Sequence, residues 1–93
     1  MGNYEVVRDL RFRRAGDAKD TDPLLVIKKG SVVKGVSKAS VSLADQLMMD
    51  RVNKNAAGSN MRHGFFLTHG VVRYAVMVND LKPTRRKVNV TTI

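Results

Sequence analysis

Apolar and polar residues alternate near the start of the chain. Tyr4, Val6, Leu10 and Phe12 share one parity, interrupted by Arg8. Glu5, Asp9, Arg11 and Arg13 share the other, with Val7 as the exception. A period of two belongs to a half-buried strand, so residues 4–13 are predicted to be extended. Residues 14–23 are small and polar and close on Pro23, which is the composition of a loop. Residues 24–27 read as a short apolar strand, and residues 31–36 as its continuation beyond Gly30. An isolated glycine in a strand pattern marks a bulge, a turn or a barrel corner.

The pattern then changes period. Over residues 42–54, Leu43 and Leu47 fall four apart, as do Ala44, Met48 and Val52. This predicts a helix with Ser42 as its N-cap and Asp45 in its first turn. Arg51 falls inside the apolar arc, where its stem can snorkel past the edge. Asn53 to Asn60 reads as a loop. Phe65-Phe66-Leu67-Thr68 and residues 71–78 flank His69-Gly70, a two-residue hairpin signal. Val72, Tyr74, Val76 and Val78 form one apolar face of the second strand, with Arg73, Ala75 and Met77 on the other. Asn79-Asp80 is a predicted turn that Leu81-Lys82-Pro83 ends, and residues 88–92 form a last β-branched strand. Five or six short strands with one helix make a mainly β, α+β chain. Short connections make the pairing antiparallel, and so many strands in a short chain hide their edges best as a small barrel.

Two segments resemble pieces of the Src-homology-3-like small barrels of bacteria and their viruses. One is Ile27-Lys28-Lys29-Gly30-Ser31-Val32-Val33-Lys34-Gly35-Val36. The other is Gly70-Val71-Val72-Arg73-Tyr74-Ala75-Val76 with Leu81-Lys82-Pro83, which is similar to the late strands and short closing turn. The resemblance covers about a third of the chain and implies a five- to six-stranded antiparallel barrel, with the helix at about 42–54 as an insertion. The aromatic groove of the signalling members is not recognisable, so proline-rich peptide binding is not carried over. The class binds DNA, RNA and proteins, so the fold leaves the function open.

Composition narrows this further. The 93 residues are read as one domain, 1–93. There is no cysteine, which excludes disulfide scaffolds, thiol enzymes and cysteine zinc sites. No apolar run is long enough to span a bilayer, and Val6 stands where a myristoylation signal needs Ser or Thr. The expected setting is cytoplasmic, with no membrane partner. His63 and His69 lie about 20 Å apart in an extended chain at roughly 3.3 Å per residue, too far to share a metal. Asp17, Asp20 and Asp22 lack the remaining ligands of a calcium loop and read as turn formers. No phosphate loop or dinucleotide fingerprint is present. The chain is therefore expected to be no enzyme and to hold no cofactor or metal.

The net charge is +9. Three clusters carry much of it: Arg11, Arg13 and Arg14; Lys28 and Lys29; and Lys82 with Arg85, Arg86 and Lys87. Each falls at a strand end or turn, where a barrel presents its loops. Such groups neutralise phosphates and release counterions, so the leading expectation is a non-catalytic module that binds DNA or RNA through the backbone. The proposed contacts are Arg11, Arg13, Arg14, Lys28, Lys29, Arg85, Arg86 and Lys87. Residues 82–87 also fit a nuclear-localisation pattern of low specificity. The alternative is a protein-interaction module that docks on an acidic surface of a larger protein, or a homodimer. Its contacts would be Met49 on the outer side of the helix and Phe65 and Phe66, which point to opposite faces so that one needs the helix, a partner or a base to cover it.

Overall fold

The computed structural model describes residues 2–12, 25–55, 58, 62–68 and 71–92. Its strands are β1 (Asn3–Val6), β2 (Leu10–Phe12), β3 (Leu25–Ile27), β4 (Val32–Gly35), β5 (His63–Thr68), β6 (Val71–Val76) and β7 (Leu81–Thr84). A 3₁₀ turn at Lys38–Ser40 leads into helix α1 (Leu43–Asn55), and a single turn, α2 (Met77–Asp80), precedes β7. Five strands form an antiparallel sheet in the order β6-β5-β4-β1-β7, and β2 and β3 form a second, two-stranded sheet.

Tyr4, Val6, Leu10 and Phe12 all pack on the main core, as their parity predicts. The expected single strand is nevertheless two. At Val7-Arg8-Asp9 the chain leaves one sheet for the other. Val7 donates its N–H to the Asp80 carbonyl, and Asp80, 3% exposed, accepts from the Arg8 guanidinium. The polar break in the alternation is thus a corner held by a buried carboxylate. Gly30 makes the next corner at φ +90°, a conformation that side chains with a Cβ rarely adopt, and its N–H reaches the Val6 carbonyl.

The core of Val6, Leu10, Ile27, Val33, Phe66 and Leu81 lies between the two sheets. Tyr4 stands edge-on to Phe66 with ring centroids 5.5 Å apart. Phe65 alternates to the opposite face, beside Tyr74 at 5.7 Å, and α1 packs there. The Tyr74 hydroxyl donates to Asp45 at 2.7 Å, and Asn53 accepts the His63 N–H and donates to its carbonyl.

Several expectations change. The sheet stays open, with β6 and β7 as its edges, so no closed barrel forms; the antiparallel, mainly β architecture remains. Among the described residues there are seven strands and a second, one-turn helix where Asn79-Asp80 was expected as a plain turn. Leu81-Lys82-Pro83 is an edge strand paired with β1, which suits proline because its missing N–H faces no partner. Residues 88–92 form only isolated bridges, Asn89 with Val32 and Thr92 with Ile27, and these tie the two sheets together. The loop at 14–23, Leu24 and the His69-Gly70 corner lie outside the described residues.

Helix α1 begins as predicted. Ser42 Oγ accepts the Asp45 N–H at 3.2 Å, the geometry of an N-cap. Its orientation is the reverse of the prediction. Leu43, Leu47 and Met48 are 70%, 59% and 44% exposed, whereas Met49 is 3% exposed. Asp45, Gln46 and Asn53 lie towards the body of the protein, and each spends its polar group on a hydrogen bond, Gln46 to the Val41 carbonyl.

Candidate nucleic-acid interface

The register of the sheet assembles one group of cations. Asn3 lies opposite both Lys34 in β4 and Thr84 in β7, and Glu5 lies opposite Lys82. Residues directly opposite one another share a face, and so do residues two apart. Asn3, Glu5, Lys34, Lys82 and Thr84 therefore lie on the sheet face away from the main core. Lys34 and Lys82 are separated by two strand spacings and two residues, about 12 Å between Cα atoms.

The turn after β7 adds to this face. Asn3 donates its Nδ2 to the Arg86 carbonyl at 2.9 Å, and the Arg86 guanidinium pairs with Glu5 at 2.9 Å. Lys82 Nζ pairs with the other Glu5 oxygen at 3.1 Å. Arg85 and Lys87 flank Arg86 and are exposed. Lys82 and Arg86 thus meet on the single carboxylate of Glu5, Lys34 shares their sheet face, and Arg85 and Lys87 adjoin Arg86 along the chain. The hydrogen bonds from Lys82 and Arg86 hold that carboxyl below its usual range, so it stays ionised and fixes both side chains.

The other predicted contacts are spread more widely. Lys28 and Lys29 are exposed on the corner beside Gly30, at the far end of β1, where the Lys29 N–H is held by Asp9. Arg11 is exposed in β2, on the second sheet. Arg13 and Arg14 lie outside the described residues, as do Asp17, Asp20, Asp22 and His69. The three clusters are therefore not shown on one rim, and one of them has grown. Lys34 was missed because nothing local marks it; only the β1–β4 register brings it beside Asn3.

Every carboxylate among the described residues is engaged. Glu5 holds Lys82 and Arg86, Asp9 the Lys29 N–H, Asp45 the Tyr74 hydroxyl, Asp50 the Lys38 ammonium and Asp80 the Arg8 guanidinium. Lys28, Lys29, Lys34, Arg85 and Lys87 form no ion pair among the described residues.

The residues expected to meet a protein partner are corrected. Met49 is buried under α1 and not on its outer side, and Phe65 and Phe66 are both buried, on opposite faces of the sheet. Consecutive methionines do divide between inside and outside, but Met48 is the outer one. His63, expected as a solvated loop residue, is half-buried in β5, and its Nδ1 is buried without a hydrogen-bond partner among the described residues. No group of three His, Asp or Glu is placed to hold a metal ion among the described residues. No described helix is long and apolar enough to cross a membrane.

Comparison with family models, with curated proteins and with solved structures finds no match to this chain.

Proposed function

We propose that the protein is a small, non-catalytic, cytoplasmic basic module that binds nucleic acid through its backbone phosphates. The observation that carries this reading is the sheet face on which Lys34 stands with Lys82 and Arg86, the last two paired with Glu5, with exposed Arg85 and Lys87 beside Arg86 in the chain and Lys28 and Lys29 at the Gly30 corner. Each lysine or arginine that neutralises a phosphate releases a counterion, so a handful of such contacts makes affinity fall steeply with salt. The Src-homology-3-like resemblance belongs to the same proposal, without a closed barrel. What supports it is that β4, β6 and β7 fall on residues that carry the resemblance, within one open antiparallel sheet.

The test is a fluorescence-polarisation titration against DNA and RNA at several salt concentrations. Binding should weaken by about 0.9 log units per contact for each tenfold rise in salt. Arg85→Glu and Lys87→Glu should each flatten that slope by about one contact. Absence of binding to either nucleic acid at about 50 mM salt, where such contacts are strongest, overturns the reading.

A second reading is favoured by a separate observation. The exposed ridge of Leu43, Leu47 and Met48 on α1 is the kind of i, i+4 face that seats in a groove on an acidic protein. A stoichiometric acidic partner, retained after nuclease treatment and lost in Leu47→Lys, would support this reading over the first.

A further inference from the structure

The nucleic-acid reading leaves open whether the ligand is paired or single-stranded, and the aromatic residues decide between them. Single strands are held by stacking bases on exposed rings beside cations. The chain has three phenylalanines, two tyrosines and no tryptophan, and the structure describes all five rings. None is exposed. Tyr4 stands against Phe66 and Phe65 against Tyr74, Phe12 packs on the core, and the Tyr74 hydroxyl is committed to Asp45. The cationic part of the sheet face, on β4, β1 and β7, carries Asn3, Glu5 and Thr84 between its lysines; Phe65 and Tyr74 lie on the same face further along, in β5 and β6, where Phe65 is buried, Tyr74 half-buried and α1 packs.

What the face offers is charge on a stiff support. Lys34 and Lys82 stand about 12 Å apart across hydrogen-bonded strands. Arg86 is fixed by Glu5 and by the Asn3 bond to its carbonyl. A rigid array that touches only phosphates gains most where phosphates are densest, and a duplex carries one charge per about 1.7 Å of axis, twice that of one of its strands.

Resting on the reading above, we propose that this face binds double-stranded nucleic acid by its phosphates and discriminates against single strands. Glu5 moderates the interaction, because its carboxylate cancels one charge and occupies Lys82 and Arg86.

The test titrates the intact chain with a mixed-sequence DNA duplex and with either separated strand, at matched length and several salt concentrations. At about 50 mM salt the duplex should bind at least about tenfold tighter, from the steeper release of about 0.9 against about 0.7 counterions per contact. Glu5→Gln should tighten duplex binding and steepen its salt slope by up to two contacts. Single strands binding as tightly as the duplex would overturn the inference and leave the phosphate reading standing. No binding to any of the three would overturn both. Far-ultraviolet circular dichroism of Glu5→Gln checks that the variant is folded; a folded variant with unchanged affinity would remove Glu5 from the site.

Discussion

Tyr74 donates its hydroxyl to Asp45 and so joins β6 to α1, and the pair makes that joint sensitive to pH at both ends of the scale. Burial, reinforced by the hydrogen bond and charge of Asp45, pushes the Tyr74 phenol from 10.0 up to about 12. The folded state thus favours the protonated phenol. That stability is fully present below pH 10 and is lost as pH rises from 10 towards 12. Asp45 is held below its ordinary 3.8 by the Tyr74 and Ser42 hydrogen bonds, so its contribution is present above pH 3.8 and lost as pH falls below it. Tyr74→Phe should therefore flatten the decline in melting temperature between pH 10 and 12, and tyrosinate absorbance should lose the component that titrates near 12. An unchanged alkaline profile in Tyr74→Phe would remove the clasp. Asp80 tests a different asymmetry. It is buried, whereas 60% of the Arg8 side chain remains exposed. Arg8→Ala strands a buried carboxylate and should cost about 2–3 kcal/mol. Adding Asp80→Asn to it should restore part of that loss, because the amide needs no cation. Chemical denaturation of the two variants reads the difference, and a double variant less stable than Arg8→Ala would contradict it. Neither role was legible in the sequence. Asp80 reads as a turn former beside Asn79, and its partner is 72 positions away.

Helix α1 shows what a periodic pattern does and does not determine. Its start and length were legible because Ser42 supplies a cap through local geometry alone. Its orientation was not, since Leu43 and Leu47 repeat at i, i+4 as a core face would, yet the sheet beneath α1 offers Tyr74 and the His63 backbone as polar partners. Asp45 and Asn53 meet those partners, and Met49 fills the space between. The outcome is measurable element-wide. Met49→Lys should cost about 3 kcal/mol or more, as burial of a charge without a partner requires, whereas Leu47→Lys should stay within about 0.5 kcal/mol of wild type. Comparable losses in the two variants would mean that the outer ridge is covered in solution. The β7 edge shows the same limit from another side. Leu81-Lys82-Pro83 has the composition of a turn, and only pairing with β1 reveals a strand. That pairing carries Lys82 and the following Arg86 to Glu5, so half of the candidate interface rests on a contact that local sequence does not encode.

At the scale of the molecule the open sheet raises the question of what joins it to the β2–β3 layer. Part of the answer is the segment after Lys87. Val32 and Asn89 exchange both backbone hydrogen bonds, at 2.7 and 3.0 Å. The Thr91 carbonyl accepts from the Lys28 N–H and from the Ser31 hydroxyl, and the Ser31 hydroxyl oxygen accepts the Thr91 N–H in return. Ser31 is buried, and within the described residues this segment satisfies its side chain. Val90 packs against the core as it passes. A net hydrogen bond contributes about 1 kcal/mol, so losing these five together with the Val90 contact costs on the order of 5 kcal/mol. A chain of this length has about 5–14 kcal/mol of stability in total. Removal of residues 89–93 should therefore leave no cooperative thermal transition, or one lowered by tens of degrees, in a calorimetric scan. Arg85→Glu and Lys87→Glu alter exposed groups just before the same segment and should melt as the wild type does. This contrast separates the two tasks of the carboxyl-terminal stretch. If the truncated chain kept the wild-type transition, the bridges at Asn89 and Thr92 would not hold the layers together. If Arg85→Glu or Lys87→Glu unfolded the chain, loss of nucleic-acid binding in that variant would no longer report on phosphate contact.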